Sequence, residues 1–548
     1  MHRGGRRRPA TRLFAENGSG TPIGLSAAHG FGGVRCHGQY EGDGGSVVWQ
    51  GGSGMDGSAG RRRRGLRAWS ITVLVGLVGA AVVLAVVLQP WTPEFRHGGL
   101  TVAAPPAPAR VLPDVRPAPD TGPMPSPAGV AAALGPVAAN PDLGGFAGSV
   151  TDAETGTVLW NSRADEPRVP SSTAKIMTTA AALLTLPADQ RVQTRVVAGA
   201  APNEIVLVGG GDPTLTAQPG GKGYYPGAAS LADLANQVRN ADVRADTIVV
   251  DISRYSGPAM ARGWDPIDIG GGSIAPLEPI MLDGGRLDPL VEYSPRSGTP
   301  ALDVGRRLAT ELGLDPAKVR IGNAPQGTKR LAEVASAPLR DRLRDMMVHS
   351  DNVLAETIGR EVAQATGHPA SFDGAAAAVA AVLTEHGFDL NGVTMHDCSG
   401  LSTDDRIPAR VLDRILSTAA GPGPEEEPAS TAPNPVLPPL GAGAGSKSEP
   451  ADPEQSLTAA LVPLLDYLPV AGGTGSLAGR YVTQNQGGAG WVRAKTGTLS
   501  VASTLAGYVL DRDGRVLTFT LMSSDRPPEV SRPALDAVAT TLRNCGCS

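Results

Sequence analysis

A single lysine constrains this chain more than any other residue. Of the 48 basic residues in its 548 positions only six are lysines, and one of them, Lys175, lies in an apolar run of Ile, Met, Thr, Ala and Leu that reads as a buried helix from Ser172 to Leu186. A surface lysine is not expected in such a run. A buried amine is desolvated and its pKa falls. Of the six lysines only Lys175 has a serine three residues earlier, Ser172. Positions i and i+3 share one face of a helix. A serine hydroxyl is a weak nucleophile unless a base stands beside it, and a neutral lysine amine can be that base. The start of a helix also supplies free backbone N–H groups for a developing oxyanion. Taken alone, Ser-x-x-Lys is equally a capping serine beside a solvated lysine.

Two further short motifs follow in the chain. Ser350-Asp351-Asn352 is the one Ser-x-Asn of the sequence, and by itself it reads equally as a helix cap or turn. Lys495-Thr496-Gly497-Thr498 precedes a strand-like stretch that starts at Val501. Gly497 allows a ligand to approach the backbone closely, and the lysine and threonine side chains suit a carboxylate. Each of the three motifs occurs once, in this order.

Composition removes several other classes. Glycine and proline make up more than a fifth of the chain (71 and 48 residues), which points to long unstructured stretches beside folded ones. A net charge of −5 and only 4% aromatic residues argue against a nucleic-acid binder. The four cysteines, Cys36, Cys398, Cys545 and Cys547, have no zinc-finger spacing, and no phosphate-binding glycine loop is present. No metal site and no cofactor are expected.

The chain divides into an anchor, a stalk and a body. Residues 1–67 carry eleven arginines and four acids and are expected to be a disordered cytoplasmic segment, with Met55 the expected true start. Residues 68–88 are apolar and long enough to span a bilayer, and the preceding Arg61–Arg64 block orients the rest outside the cell. A cleaved signal peptide is the competing reading, with secretion as its consequence. Residues 89–136 are rich in Pro and Ala and read as a stalk. Residues 421–455, with nine prolines, read as a disordered surface insertion. Hairpins are expected at Phe146–Trp160 and Val501–Met522. Helices are expected at Leu339–Ala365, broken near Ser350, and at Pro533–Leu542. Strands at both ends with helices between suggest one sheet completed by the two termini.

The three motifs together are the set found in β-lactamases and penicillin-binding proteins. The sequence from about Val137 to Leu542 resembles the penicillin-binding D-alanyl-D-alanine carboxypeptidase/endopeptidase family of the low-molecular-mass class C type. Further similar stretches are Gly209–Leu215, Asp397-Cys398-Ser399-Gly400-Leu401-Ser402 and Gly475–Arg480. Cys398, where the family commonly has Gly, and the 421–455 insertion are departures. The resemblance implies an α/β (α+β) transpeptidase-like or β-lactamase-like serine acyltransferase fold. The catalytic domain would be formed by 137–195 and 335–548. The separation of 178 positions from Ser172 to Ser350 leaves room for an inserted β-containing module over 196–334. A class A β-lactamase has its first two motifs much closer together.

The resemblance also implies roles. Ser172 would attack the penultimate D-Ala carbonyl of peptidoglycan stem peptides, with Lys175 taking its proton, Ser350 relaying a proton to the leaving D-Ala and Asn352 fixing Lys175. Lys495, Thr496 and Thr498 would hold the terminal carboxylate, with Gly497 and Asp351 also substrate-binding. β-Lactams would acylate the same serine. The competing readings are a β-lactamase and a catalytically inactive wall-binding protein. The residues name no protein partner. An extracytoplasmic body also implies oxidised thiols, so Cys398 is expected to pair with Cys545 or Cys547.

Overall fold

The computed structural model of the chain describes residues 76–84, 86–87, 122–422 and 453–547. The expectations for residues 1–67, for the start at Met55, for most of the 68–88 span and for most of the 421–455 insertion lie outside these residues. Residues 76–84 and 86–87 are helical. Among the described residues no helix is long and apolar enough to cross a membrane.

One antiparallel sheet gathers the two ends of the body. Strands β1 (Gly145–Asp152) and β2 (Val158–Ser162) come from the N-terminal side, and β10 (Val492–Leu499), β11 (Ala502–Leu510) and β12 (Val516–Ser524) from the C-terminal side. Their order is β10-β11-β12-β1-β2. β1 pairs in full register with β12, from Gly145 opposite Ser524 to Asp152 opposite Leu517. Both expected hairpins form. A short pairing of β3 (Pro167–Arg168) with β9 (Ile407–Pro408) stands beside this sheet.

The inserted stretch is a separate five-stranded sheet of order β7-β6-β5-β4-β8. It uses β4 (Gln193–Ala198), β5 (Glu204–Val208), β6 (Thr247–Asp251), β7 (Arg320–Ile321) and β8 (Arg330–Ala335). β5, β6 and β7 run parallel, the arrangement that needs helical crossovers. Helices over Leu231–Asn240 and Pro300–Leu312 fill that role and share an apolar core with the sheet.

Helix α1 (Pro127–Ala138) precedes β1. The expected stalk therefore ends earlier than residue 136. Val130 and Leu134 are fully buried in the core beneath the antiparallel sheet, beside the C-terminal helix. Ser126 caps α1 by accepting from Gly129 N, which starts the helix where the Pro-rich sequence stops. Numbering continues with α2 (Lys175–Thr185), α3 (Leu231–Asn240), α4 (Pro300–Leu312), α5 (Leu339–His349), α6 (Asn352–Ala365), α7 (Phe372–Glu385), α8 (Ala409–Ala420), α9 (Pro453–Leu461) and α10 (Pro528–Arg543). Helices α2, α5, α6, α7 and α8 form the largest apolar core, with Ile176, Met177, Leu354 and Ile358 all fully buried. The alanine-rich α2 lets α6 and α7 pack closely on it.

The cysteine pairing differs from expectation. Cys545 is bonded to Cys547, with Cα atoms 5.1 Å apart, inside the range a disulfide spans. Cys398 is a free, fully buried thiol. The two sites belong to different cores: Cys398 packs against Gly359 of α6 in the helical core, while Cys545 lies under the antiparallel sheet. No bridge between them is geometrically available.

Candidate active site

A turn, a helix joint and a strand converge at the junction of the helical core and the antiparallel sheet. A single tight turn over Ser171–Ala174 leads into α2 and carries Ser172. The turn is backbone-strained, because Ser171 has φ 48°. Its neighbours leave room for that shape through glycines. A Cβ on Gly497 would meet Ser171 Cβ at 2.8 Å and the Thr504 hydroxyl closer still, and a Cβ on Gly400, itself at φ 76°, would strike the Ser171 carbonyl.

The second motif is the joint between α5 and α6. Ser350 takes the left-handed conformation at φ 59°, which stops α5, and Asp351 caps α6 by accepting from Leu354 N at 2.9 Å. The third motif lies on β10, whose residues Lys495 and Thr496 are buried.

Side-chain geometry joins the three. Lys175 Nζ donates to Ser172 Oγ at 3.0 Å, to Asn352 Oδ1 at 2.6 Å and to the Ser399 carbonyl at 2.7 Å. These three acceptors use every proton of an ammonium group. Lys175 is fully buried. Burial pulls its pKa down to about 8, against the opposing pull of the Asp397, Glu356 and Asp351 carboxylates. Lys495 Nζ donates to Ser350 Oγ and to the Thr496 carbonyl, both at 2.8 Å. Burial, then the nearby Lys175 charge, hold the Lys495 amine well below its usual range. Thr496 Oγ1 donates to Ser476 Oγ at 2.8 Å. A cleft of about 860 Å³ opens over the group, lined by Ser172, Ser350, Asn352, Thr496 and Thr498.

Ser172, Lys175, Ser350, Asn352 and Lys495 are thus brought together from positions up to 323 residues apart, and Thr496 and Thr498 border the same cleft, while Gly497 between them faces Ser171 and Thr504. Asp351 also lines this cleft. Its side chain is 3% exposed, and its Oδ2 accepts from Tyr225 OH at 2.8 Å and from Arg286 at 3.2 Å. Both oxygens of that carboxylate are engaged by protein partners.

The sequence reading missed the groups behind Lys175. Asp397 accepts from the backbone of Ser399, Gly400 and Ser402 and from the Trp264 indole, shaping the loop whose carbonyl faces Lys175. Glu356, fully buried on α6, accepts from Cys398 N at 2.9 Å; burial first, then Asp397, raises its pKa to about 7. The stretch Asp397–Ser402 was visible as a motif, but nothing in its spacing tied it to Lys175.

A serine bonded to a buried lysine, with a Ser-x-Asn turn and a Lys-Thr-Gly strand edging one cleft, defines a serine acyltransferase of the penicillin-binding class. More narrowly, the chain belongs to the D-Ala-D-Ala carboxypeptidase 3 (S13) family, whose profile matches residues 130–298, 290–446 and 453–545. It is 49% identical over 458 residues to a carboxypeptidase of Mycobacterium tuberculosis, across 83% of this chain and 92% of that protein. It is 46% identical over 485 residues to a carboxypeptidase of Mycolicibacterium smegmatis, across 87% of this chain and 98% of that protein. Among solved structures, penicillin-binding protein 4 of Haemophilus influenzae shares the fold with a TM-score of 0.56 and 19% identity, over 75% of this chain and 98% of that one.

Proposed function

We propose that this chain is a serine-type D-Ala-D-Ala carboxypeptidase/endopeptidase that cleaves peptidoglycan stem peptides through an acyl-enzyme on Ser172. The observation that carries the reading is the 3.0 Å contact between Ser172 Oγ and the buried Lys175 amine, whose pKa of about 8 makes it a usable base near neutral pH.

The steps are those the family resemblance implies, and the hydrogen bonds of the site support them. Neutral Lys175 takes the Ser172 proton as Oγ attacks the carbonyl of the penultimate D-Ala. Asn352 and the Ser399 carbonyl hold the amine in line. The backbone N–H groups of Ser172 and Thr498 receive the oxyanion. Ser350, hydrogen-bonded to Lys495, relays the proton taken up by Lys175 to the leaving amine as the C–N bond breaks, which leaves Ser350 protonated and Lys175 neutral again. Lys495, Thr496 and Thr498 take the terminal carboxylate. Water then attacks the ester and frees Ser172. A β-lactam presents the same acyl group and remains bound as a slowly hydrolysed ester. The body works outside the cell, anchored by residues 68–88; the arginine block before that apolar run supports this placement.

The test is incubation of the purified protein with muropeptides, with products identified by mass spectrometry, alongside penicillin adduct mapping. Release of D-Ala, or cleavage of the cross-link, and an adduct on Ser172 are expected, and both are lost in Ser172→Ala. An adduct on another residue, or rapid turnover of nitrocefin without peptide cleavage, would overturn the proposal.

A further inference from the structure

The second motif is held from the inserted module. Asn352 Nδ2 donates to the Ser273 carbonyl at 3.0 Å. With its NH2 engaged there, the amide turns Oδ1 toward Lys175. The neighbouring Asp351 is held by Tyr225 and Arg286, and Ser273, Tyr225 and Arg286 all lie within residues 196–334. Arg286 is itself fixed. Its guanidinium sits 3.4 Å from the centre of the Tyr224 ring and donates to Tyr225 OH and to the Asp283 carbonyl, both at 2.9 Å. The Arg286 and Asp351 side chains are 1% and 3% exposed. This is a buried pair in which removal of one partner takes from the other its bonded opposite charge.

That charge matters because of what stands near it. Three carboxylates act on Lys175: Asp397, Glu356 and Asp351. Asp397 is met by backbone N–H groups and the Trp264 indole, and Glu356 pairs with Arg360 on the same helix. Lys495 on β10 also stands in range of Lys175, as a like charge when both are protonated. Asp351 is faced by Arg286, by Arg296 and by Tyr225, with Asp345 of α5 also in range. A bare negative charge beside a lysine favours its ammonium form, and an ammonium cannot accept the proton of Ser172.

We propose that Arg286 is a positioning residue supplied by the inserted module, neutralising Asp351 and fixing the Ser350–Asn352 turn so that Lys175 remains free to act as base. The proposal rests on the reading of Lys175 as the base for Ser172. Burial alone would push the Asp351 carboxyl up; Arg286 and Arg296, with the Leu354 N–H and the Tyr225 hydroxyl, together outweigh it and hold it at about 2. The inserted module is on this view part of the frame of the active site.

The experiment measures the rate at which fluorescent penicillin acylates the purified full chain as a function of pH, with thermal melting to check the fold. In Arg286→Met the rising limb of the pH profile is expected about one unit higher, so that acylation at neutral pH falls about tenfold and recovers in alkali. Arg286→Lys keeps the charge and should keep the limb near that of the unaltered protein. Adding Asp351→Asn to Arg286→Met should bring the limb back. Asp351→Asn alone should move it down, and this variant keeps the test open if Arg286→Met does not fold. A limb that stays put in Arg286→Met or in Asp351→Asn, or that the double variant fails to restore, overturns the inference; loss of packing alone lowers rates and melting temperature without moving a midpoint. Absence of a Ser172 adduct in the unaltered protein would remove the underlying reading first, and the inference with it.

Discussion

Lys175 sets how the site responds to pH. Its amine, lowered by burial to about 8, is mostly protonated at neutral pH and mostly free above 8. Acylation by penicillin is therefore expected to rise with pH, approaching tenfold per unit below that value, and to level off above it. A pH–rate profile that is flat from neutral upward would contradict this. Lys175→Ala leaves Ser172 without its base and should slow acylation by about 10²–10⁴-fold, the usual worth of a positioned base. Gly497→Ala tests the other side of the turn. Its methyl group has no free space against Ser171 and Thr504. Overpacking of this kind costs roughly 1–3 kcal/mol, so a lower melting temperature with a large fall in acylation is expected.

Among the elements, α1 and the loop after α7 make distinct demands. Leu134 is fully buried, so Leu134→Ala should cost about 2–5 kcal/mol in urea unfolding. A protein beginning near residue 122 should melt like the full chain, while one beginning at Val137 should melt lower, because it lacks Val130 and Leu134 from the core. Asp405 carries a pH signature. Burial, then the Asp397 charge, raise its pKa to about 10, against 3.8 without them. Between those values the folded state holds a proton that the unfolded state has released, so stability falls as pH rises. Asp405→Asn removes that proton difference and should flatten the fall in melting temperature from neutral to alkaline pH. An unchanged slope would show that Asp405 ionises normally in the fold.

For the molecule as a whole, the chain between α8 and α9 is the part the body should least miss. These two helices share one core, with Leu416, Ala419 and Leu461 in it, so their packing does not depend on the length of the chain between them. Residues 423–452 are rich in Pro and Gly, and the closure entropy of a connection changes only logarithmically with its length. Deleting them should leave melting temperature and acylation unchanged. A marked loss of either would show that the segment packs on the body.

The sequence disclosed what is local. Ser172 and Lys175 are three residues apart, so helical spacing alone placed them on one face. The break at Ser350 was visible as polar residues interrupting a helical pattern, and the hairpins and the terminal helix were legible from periodicity and turn residues. Family resemblance added the three-motif set and with it the chemistry. The reach of the body toward the N-terminus was hidden, because the Ala- and Pro-rich sequence of α1 looks like stalk until Val130 and Leu134 are seen in a core. Cysteine pairing was hidden too: compartment chemistry says that thiols oxidise, but only the assignment of Cys398 and Cys545 to different cores says which cannot meet. The same holds for Arg286. Nothing in its neighbourhood along the chain points to Asp351, 65 residues away. Their pairing exists because the inserted module folds back onto the joint between α5 and α6, and the strength of a charge pair depends on distance and burial, which are properties of the fold and not of the order of residues.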